Sequence, residues 1–155
     1  MLTKYIKSIV YGGIDGIITT FAIVAGATGA QLDTKYVIAL GIGNVLADGF
    51  SMAMGDYLST RAEEKEKELA VKNGIMTFIS FLAFGIIPLF SYFIQTNNPY
   101  LMTGVFTGLA LLALGVVKAK ITNTSIWISV ITMLSIGGIT ALVAYYIGEF
   151  FSTVL

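Results

Sequence analysis

Acidic side chains stand inside apolar stretches of this sequence, where they would otherwise be surrounded by lipid. Asp48 and Asp56 interrupt one such stretch, with Met52 midway between them, and Asp15 interrupts an earlier one. A carboxylate at the centre of a membrane helix costs roughly 2.5–3.5 kcal/mol on insertion scales, so such residues are rarely without a function. Carboxylate oxygens bind divalent cations, and a thioether shifts the preference toward Fe²⁺ and similar transition metals. These residue types predict a weak and reversible cation site.

The second apolar stretch carries polar or polarisable side chains at intervals of four residues, namely Asn44, Asp48, Met52 and Asp56. On an α-helix each such step advances about 6 Å and turns by about 40°, so the side chains form one slowly winding stripe. Small residues flank the stripe: Ser51, Gly55 and Ser59. Such a stripe is expected to face protein or water rather than lipid. Asn44 is interpreted either as a further ligand or as a hydrogen-bond partner of a neighbouring helix.

The depths of the acidic residues predict which side chains meet. Asp15 follows Lys7 by eight residues, which places it about 12 Å from the charged boundary of the helix. Met52 precedes Arg61 by nine residues, which places it about 13 Å from the same boundary. A short turn would make the two helices antiparallel neighbours, so Asp15 and the stripe are expected to converge on one cavity. Carboxylates also bind protons, so a proton and a metal ion would compete for the same groups.

Three glycines, Gly12, Gly13 and Gly16, surround Asp15. Glycine weakens a helix, so a bend or break here would expose carbonyl oxygens to an ion, as in discontinuous transporter helices. Gly12 and Gly16 also form a G-x-x-x-G pair of the kind that packs helices together. Both interpretations are open at this point.

Composition places the chain in a membrane. Of its 155 residues 56% are hydrophobic and only 12% are charged, whereas soluble domains carry about 25% charged residues. The formal net charge is zero, so nothing indicates a nucleic-acid partner. The sequence has no Cys and no His, which leaves no disulfide, no zinc-ribbon pattern and no activated nucleophile of those types. We therefore expect a non-enzymatic protein without a resident cofactor, whose partners are lipid and divalent ions.

Five apolar segments predict an all-α polytopic membrane protein that forms a single domain over residues 1–155. Each segment is close to the ~20 residues that cross a bilayer as a helix. They cover residues 8–30, 36–60, 75–95, 100–117 and 125–148. The start of the chain also mimics a secretory signal, but its apolar run is too long for one and contains Asp15.

The distribution of Lys and Arg predicts the orientation, because these residues are enriched on the cytoplasmic side. With the N-terminus in the cytoplasm, only Lys35 lies outside. The remaining basic residues then lie inside: Lys4, Lys7, Arg61, Lys65, Lys67, Lys72, Lys118 and Lys120. Five crossings place the C-terminus outside.

One charged stretch, residues 61–74, is predicted to extend the second helix into the cytoplasm as far as residue 72, before Asn73 and Gly74 end it. Its acidic residues are Glu63, Glu64, Glu66 and Glu68. They either capture cations before transport or form a solvated helix face. The i,i+4 pairs Glu63–Lys67 and Glu68–Lys72 favour the second interpretation.

Two motifs resemble those of the vacuolar iron transporter family. The first is "GGIDGIITTFAIVAGATGA" and the second is "ADGFSMAMGDYLSTRAEEKE". The stretch "GVVKAKITNTS" and the later "GGITALVAYYIG" are also similar to the family's fourth and fifth helices. The likeness covers nearly the whole chain.

The resemblance implies five membrane helices per subunit, a homodimer, and an ion path at the dimer interface lined by the first two helices. It implies export of Fe²⁺, sometimes Mn²⁺, from the cytoplasm in exchange for protons. The family's intramembrane Asp corresponds to Asp15, its Met to Met52, and its acidic residue after S-M-A-x-G to Asp56. Plant members carry a long metal-binding insertion between helices two and three that is missing here, which leaves the iron specificity open.

The predicted function is therefore proton-coupled export of Fe²⁺ across the plasma membrane of a prokaryote or a vacuole-like membrane of a eukaryote. The alternatives within transport are a Mn²⁺ exporter and a permissive divalent cation channel. The alternative of another class is a non-transporting membrane protein whose Asp residues only hold helices together.

Overall fold

The computed structural model describes residues 5–63, 66–94 and 96–154 of the chain. Within these ranges the chain is helical and has no strand. The helices are α1 (Ile6–Gly29), α2 (Thr34–Glu63), α3 (Lys67–Gly85), α4 (Phe90–Phe93), α5 (Pro99–Thr122) and α6 (Ile126–Val154), with a 3-10 turn at Ile87–Leu89. The predictions made for Lys4, Glu64, Lys65 and Gln95 lie outside the described residues.

Five helical units in the described part of the chain are long and apolar enough to cross a membrane. The third consists of α3, the 3-10 turn and α4 together, over Lys67–Phe93, and each of the other long helices forms one span. Pro88 lies in the 3-10 turn between α3 and α4, where its ring interrupts the regular helix. The all-α fold with five spanning helices, predicted from the apolar segments, is confirmed, and the chain is an integral membrane protein.

The helix α1 lies at the centre of the bundle, where it packs against α3 and α6 and also touches α2 and α5. A Cβ atom on Gly12 would lie 2.7 Å from the Thr77 carbonyl oxygen, and one on Gly16 would lie 2.6 Å from that of Phe81. Only glycine permits this close approach of α1 to the backbone of α3. Since α1 runs without interruption over Ile6–Gly29, the predicted break around Asp15 is wrong.

Two apolar clusters hold α1 in place. One joins α1 to α5 and α6 through Ile17, Ile18, Leu111, Leu114 and Met133. The other joins α1 to α2 and the end of the third span through Val24, Ala27, Val37, Val45 and Leu89. Because apolar contacts fix it on two sides, α1 has a set orientation relative to its neighbours.

The connection between α2 and α3 differs from the prediction. The expected extension of the second helix to residue 72 is wrong, because α2 ends at Glu63 and Lys67 already belongs to α3. Asn73 and Gly74 do not end a helix but lie inside α3. A Cβ atom on Gly74 would lie 2.8 Å from the Ala53 carbonyl oxygen, so this glycine serves the close packing of α3 against α2. A glycine that permits helix contact and one that ends a helix look alike in a sequence.

Candidate functional site

A groove of about 470 Å³ lies between α1, α2 and α3 and contains three of the predicted ion-path residues. Asp48, Met52 and Asp56 line it from α2. The remaining lining residues are mostly small or polar: Lys7, Ser8, Tyr11, Ser51, Gly55, Ser59 and Thr77. The groove thus presents carboxylate, thioether and hydroxyl groups in one apolar helix bundle, which is the donor set expected for a weakly bound divalent cation.

The two faces of α2 explain why the stripe lies along this groove. One face is buried against the bundle, through Val37, Gly41, Val45, Gly49 and Ala53. The residues of the polar stripe are half-buried along the edge of that face. The adjoining face is exposed and consists of small residues, again at intervals of four: Gly43, Ala47, Ser51, Gly55 and Ser59. The stripe is therefore held at the boundary between the chain's own interior and a surface with little side-chain bulk.

Asp56 is held by hydrogen bonds at one end of the groove. Thr77 Oγ1 of α3 donates to Asp56 Oδ2, and Thr60 Oγ1 of α2 donates to Asp56 Oδ1 at 3.5 Å. Asn73 Nδ2 in turn donates to Thr60 Oγ1 at 3.1 Å. The carboxylate is thus fixed by donors from two helices, one of which begins beyond the α2–α3 connection.

Thr77 and Thr60 were not among the residues predicted from the sequence. Both lie on the network around Asp56, and Thr77 also lines the groove. Thr77 stands in the uncharged third apolar segment, which also contains Ser80 and Ser91, so its hydroxyl carries no specific signal in the sequence. Its role depends on the contact between α3 and α2, which no spacing within either segment reveals.

Asp15 is half-buried and lines a second cavity, of about 540 Å³, between α1, α5 and α6. The expectation that Asp15 and Met52 line one cavity is therefore wrong for the single chain. The reason is the orientation of α1 about its own axis. The side of α1 with Gly12 and Gly16 packs against α3, whereas Asp15 lies about 60° from Gly12 and about 100° from Gly16 around the helix, toward α5 and α6.

The two cavities are nevertheless neighbours. Lys7 and Tyr11 line both of them, and the carboxylates of Asp15 and Asp48 lie within electrostatic range of each other. Two neighbouring carboxylates that are both charged repel each other in a low-dielectric surrounding, and a bound cation or proton relieves that repulsion.

Asn44 lies one turn of α2 beyond Asp48, away from the groove lining. Its Nδ2 atom is buried and has no hydrogen-bond partner among the described residues. The described part of the chain also does not bring three or more acidic side chains into one cluster that would enclose a metal ion. The possible metal ligands therefore line one side of an open groove and do not surround an enclosed site.

The acidic residues of the α2–α3 connection lie apart from the groove. Glu63, Glu66 and Glu68 are exposed, and Glu64 is outside the described residues. Glu68 pairs with Lys72 one turn later in α3. The predicted i,i+4 pair of Glu63 with Lys67 is wrong, since the two residues belong to different helices.

The fold and the groove together define a class: an integral membrane protein of five spanning helices with carboxylates and a thioether along a polar groove. A sequence model of the VIT family matches residues 6–68 and 61–149, which is most of the chain. The chain belongs to the VIT family, and the resemblance seen in its motifs is confirmed.

Individual relatives match to different extents. The "Vacuolar iron transporter" of Toxoplasma gondii is 49% identical over 72 residues, which cover 43% of this chain and 24% of that protein. The "Vacuolar iron transporter" of Plasmodium berghei is 26% identical over 226 residues, covering 96% of this chain and 83% of that protein. An uncharacterized protein of Methanocaldococcus jannaschii is 30% identical over 177 residues, covering 96% of this chain and 90% of its own length.

Proposed function

We propose that this protein exports Fe²⁺ from the cytoplasm in exchange for protons, as a homodimer whose ion path is lined by α1 and α2. The observation that carries the proposal is the groove in which Asp48, Met52 and Asp56 share one wall of α2. The relatives named vacuolar iron transporter support iron as the cargo. The membrane is the plasma membrane in a prokaryote and a vacuole-type membrane in a eukaryote.

The donor set favours a transition metal as cargo. The carboxylates of Asp48 and Asp56 provide charge and hard oxygen ligands, and the Met52 sulfur provides a softer one. Mg²⁺ and Ca²⁺ have little affinity for a thioether, whereas Fe²⁺ is softer and accepts a mixed set of oxygen and sulfur ligands more readily. No thiolate or imidazole is available to bind the ion tightly, because the sequence has neither Cys nor His. Weak binding lets the ion leave as well as enter.

A second copy of the chain would complete the site. Among the described residues, one chain provides an open groove and no group of three acidic side chains that could enclose an ion. The exposed face beside the stripe is built from small residues, and nothing lies within 4 Å of a Cβ atom placed on Gly43 or Gly55. Small residues let membrane helices approach closely, so two copies meeting on this face would bring two stripes together.

Proton exchange follows from the acidic groups. Asp15 and Asp48 repel each other while both are charged. Either a divalent ion or a proton removes the repulsion, so arrival of protons from one side favours release of the metal there. The same groups then alternate between the two cargoes, which move in opposite directions.

The decisive experiment is transport into vesicles. The protein is reconstituted with an imposed proton gradient, and the entry of Fe²⁺, Mn²⁺ and Ca²⁺ is followed in parallel. We expect Fe²⁺ entry that depends on the gradient and falls by roughly tenfold or more in Asp15→Ala. Asp33→Ala is the matched control, because Asp33 is exposed outside the spans, where it pairs with Lys35 at 3.8 Å.

Each other outcome points to a different function. Preference for Mn²⁺ makes the protein a manganese exporter, and entry of all three ions without dependence on the gradient makes it a permissive channel. If no ion enters while Asp15→Asn disrupts assembly, the acidic residues serve helix packing and the transport proposal fails.

A further inference from the structure

The carboxylate of Asp56 has one hydrogen-bond donor on each oxygen. Thr77 donates to Oδ2 from α3, and Thr60 donates to Oδ1 from α2. A carboxylate offers about four acceptor positions, so two lone pairs are used and two are left for a ligand in the groove. Asp48, two turns away on the same helix, accepts no such hydrogen bond from any described residue. Asp56 is therefore the anchored acidic group of the stripe.

The Thr77 donor has little freedom to move. The residue is 2% exposed, and its own carbonyl oxygen lies directly under Gly12 of α1. Its backbone is thus fixed by α1, while its hydroxyl reaches Asp56 of α2 and forms part of the groove lining. Thr77 of α3 thus contacts both α1 and α2, and these contacts determine the position of its hydroxyl.

We propose that Thr77 is a positioning residue of the ion path, which holds the Asp56 carboxylate in the orientation that binds the ion. This inference rests on the proposed function, because the ion that Asp56 binds is the divalent cation that the protein is proposed to transport. An Asp side chain that is free to rotate must be ordered when it binds a cation, and that ordering reduces the affinity. A carboxylate that is already held by a fixed donor avoids this loss.

Thr60 and Asn73 help to hold the second oxygen of the Asp56 carboxylate, Oδ1. The 3.5 Å distance from Thr60 Oγ1 to Asp56 Oδ1 is long, so this bond is the weaker of the two. Asn73 holds the Thr60 hydroxyl at 3.1 Å. Loss of the Thr77 hydroxyl is therefore expected to matter more than loss of the Thr60 hydroxyl.

The test compares three variants of the full chain in detergent, with Mn²⁺ as the probe because its binding is followed directly by electron paramagnetic resonance. Thr77→Val removes the hydroxyl at nearly constant shape, and Thr77→Ser restores it. Thr107→Val is the matched control, since Thr107 is buried to 1% exposure and its hydroxyl has no partner in the described structure. We expect Thr77→Val to weaken Mn²⁺ binding by roughly tenfold, with Thr77→Ser and Thr107→Val within about twofold of the unaltered protein.

Uptake kinetics provide a second measurement that a purely structural role would not reproduce. Thr77→Val should raise KM for the divalent ion more than it lowers the maximal rate, whereas a general loss of folded protein lowers the maximal rate alone. Should Thr77→Val fail to fold, Thr77→Cys keeps the size of the side chain with a much weaker donor. Wild-type Mn²⁺ affinity in the folded Thr77→Val or Thr77→Cys variant overturns the proposal.

The binding experiment also separates this proposal from the proposed function. An unaltered protein that binds Mn²⁺ but moves no ion in vesicles contradicts the transport function, while the comparison of affinities still decides the role of Thr77. An unaltered protein that binds neither Mn²⁺ nor Fe²⁺ overturns both.

Discussion

Gly12 of α1 lies directly against the main-chain carbonyl of Thr77 in α3, and the hydroxyl of the same Thr77 binds Asp56 in α2. The packing of three helices and the orientation of one acidic side chain are thus determined at a single position. A change in the distance between α1 and α3 therefore moves the donor that Asp56 depends on.

Gly12→Ala should destabilise the protein. A Cβ atom at this position would lie 2.7 Å from a backbone oxygen that cannot rotate away, so α1 and α3 must separate. Overpacking of this kind costs about 1–3 kcal/mol, which should lower the melting temperature in detergent by several degrees. Gly104→Ala is the control, because nothing lies within 4 Å of its added Cβ. Equal melting temperatures for the two variants would contradict the close contact of α1 with α3.

Met52→Leu should reduce the selectivity for transition metals while leaving the fold intact. The exchange nearly preserves side-chain volume, so the cost in stability stays below about 1.5 kcal/mol. It removes the one thioether that lines the groove in the described structure. We expect the ratio of Fe²⁺ to Ca²⁺ uptake to fall by roughly threefold to tenfold.

The control for this change is Met54→Leu. Met54 lies on the same helix but is exposed and lines an apolar surface hollow with Phe50 and Ile75. An equal loss of selectivity in both variants would show that the Met52 sulfur is not a ligand.

The sequence predicted the elements better than their contacts. The stripe of Asp48, Met52 and Asp56 was predictable because helical spacing alone puts these residues on one line, and the structure places them along one groove. The cavity that Asp15 lines was not predictable, because the depth of a residue in the membrane does not determine which neighbouring helices its side chain faces. That direction is set by the contact of Gly12 with Thr77.

The start of α3 was missed for a related reason. The charged residues before Asn73 resemble the solvated end of a membrane helix, and Asn-Gly resembles a helix stop. The structure uses both residues to bind α2 instead: Asn73 donates to Thr60, and Gly74 packs against Ala53. Such contacts between helices leave no periodic pattern in either segment.

Gly55→Leu tests the dimer. Gly55 is exposed in the single chain, and nothing lies within 4 Å of an added Cβ, so the fold of one subunit should accept the larger side chain. A partner subunit that packs closely on this face would clash with the larger side chain. We therefore expect the dissociation constant of the dimer to rise roughly tenfold. Light scattering in detergent measures the mass of the particle. Gly138→Leu, on α6, is the control, because Gly138 is also exposed and nothing lies within 4 Å of its added Cβ. An unchanged dimer in Gly55→Leu would remove this face from the interface.

The orientation in the membrane can be tested by labelling single introduced cysteines, because the sequence contains no Cys that would also react. Lys35 and Lys120 are both exposed and lie at opposite ends of the bundle in the predicted topology. With the N-terminus in the cytoplasm, Lys35→Cys should react with a membrane-impermeant maleimide on intact cells, and Lys120→Cys only after permeabilisation. In this orientation eight of the nine basic residues lie on the cytoplasmic side. The reverse labelling pattern would invert the topology and with it the proposed direction of export, while leaving the groove and its ligands as they are.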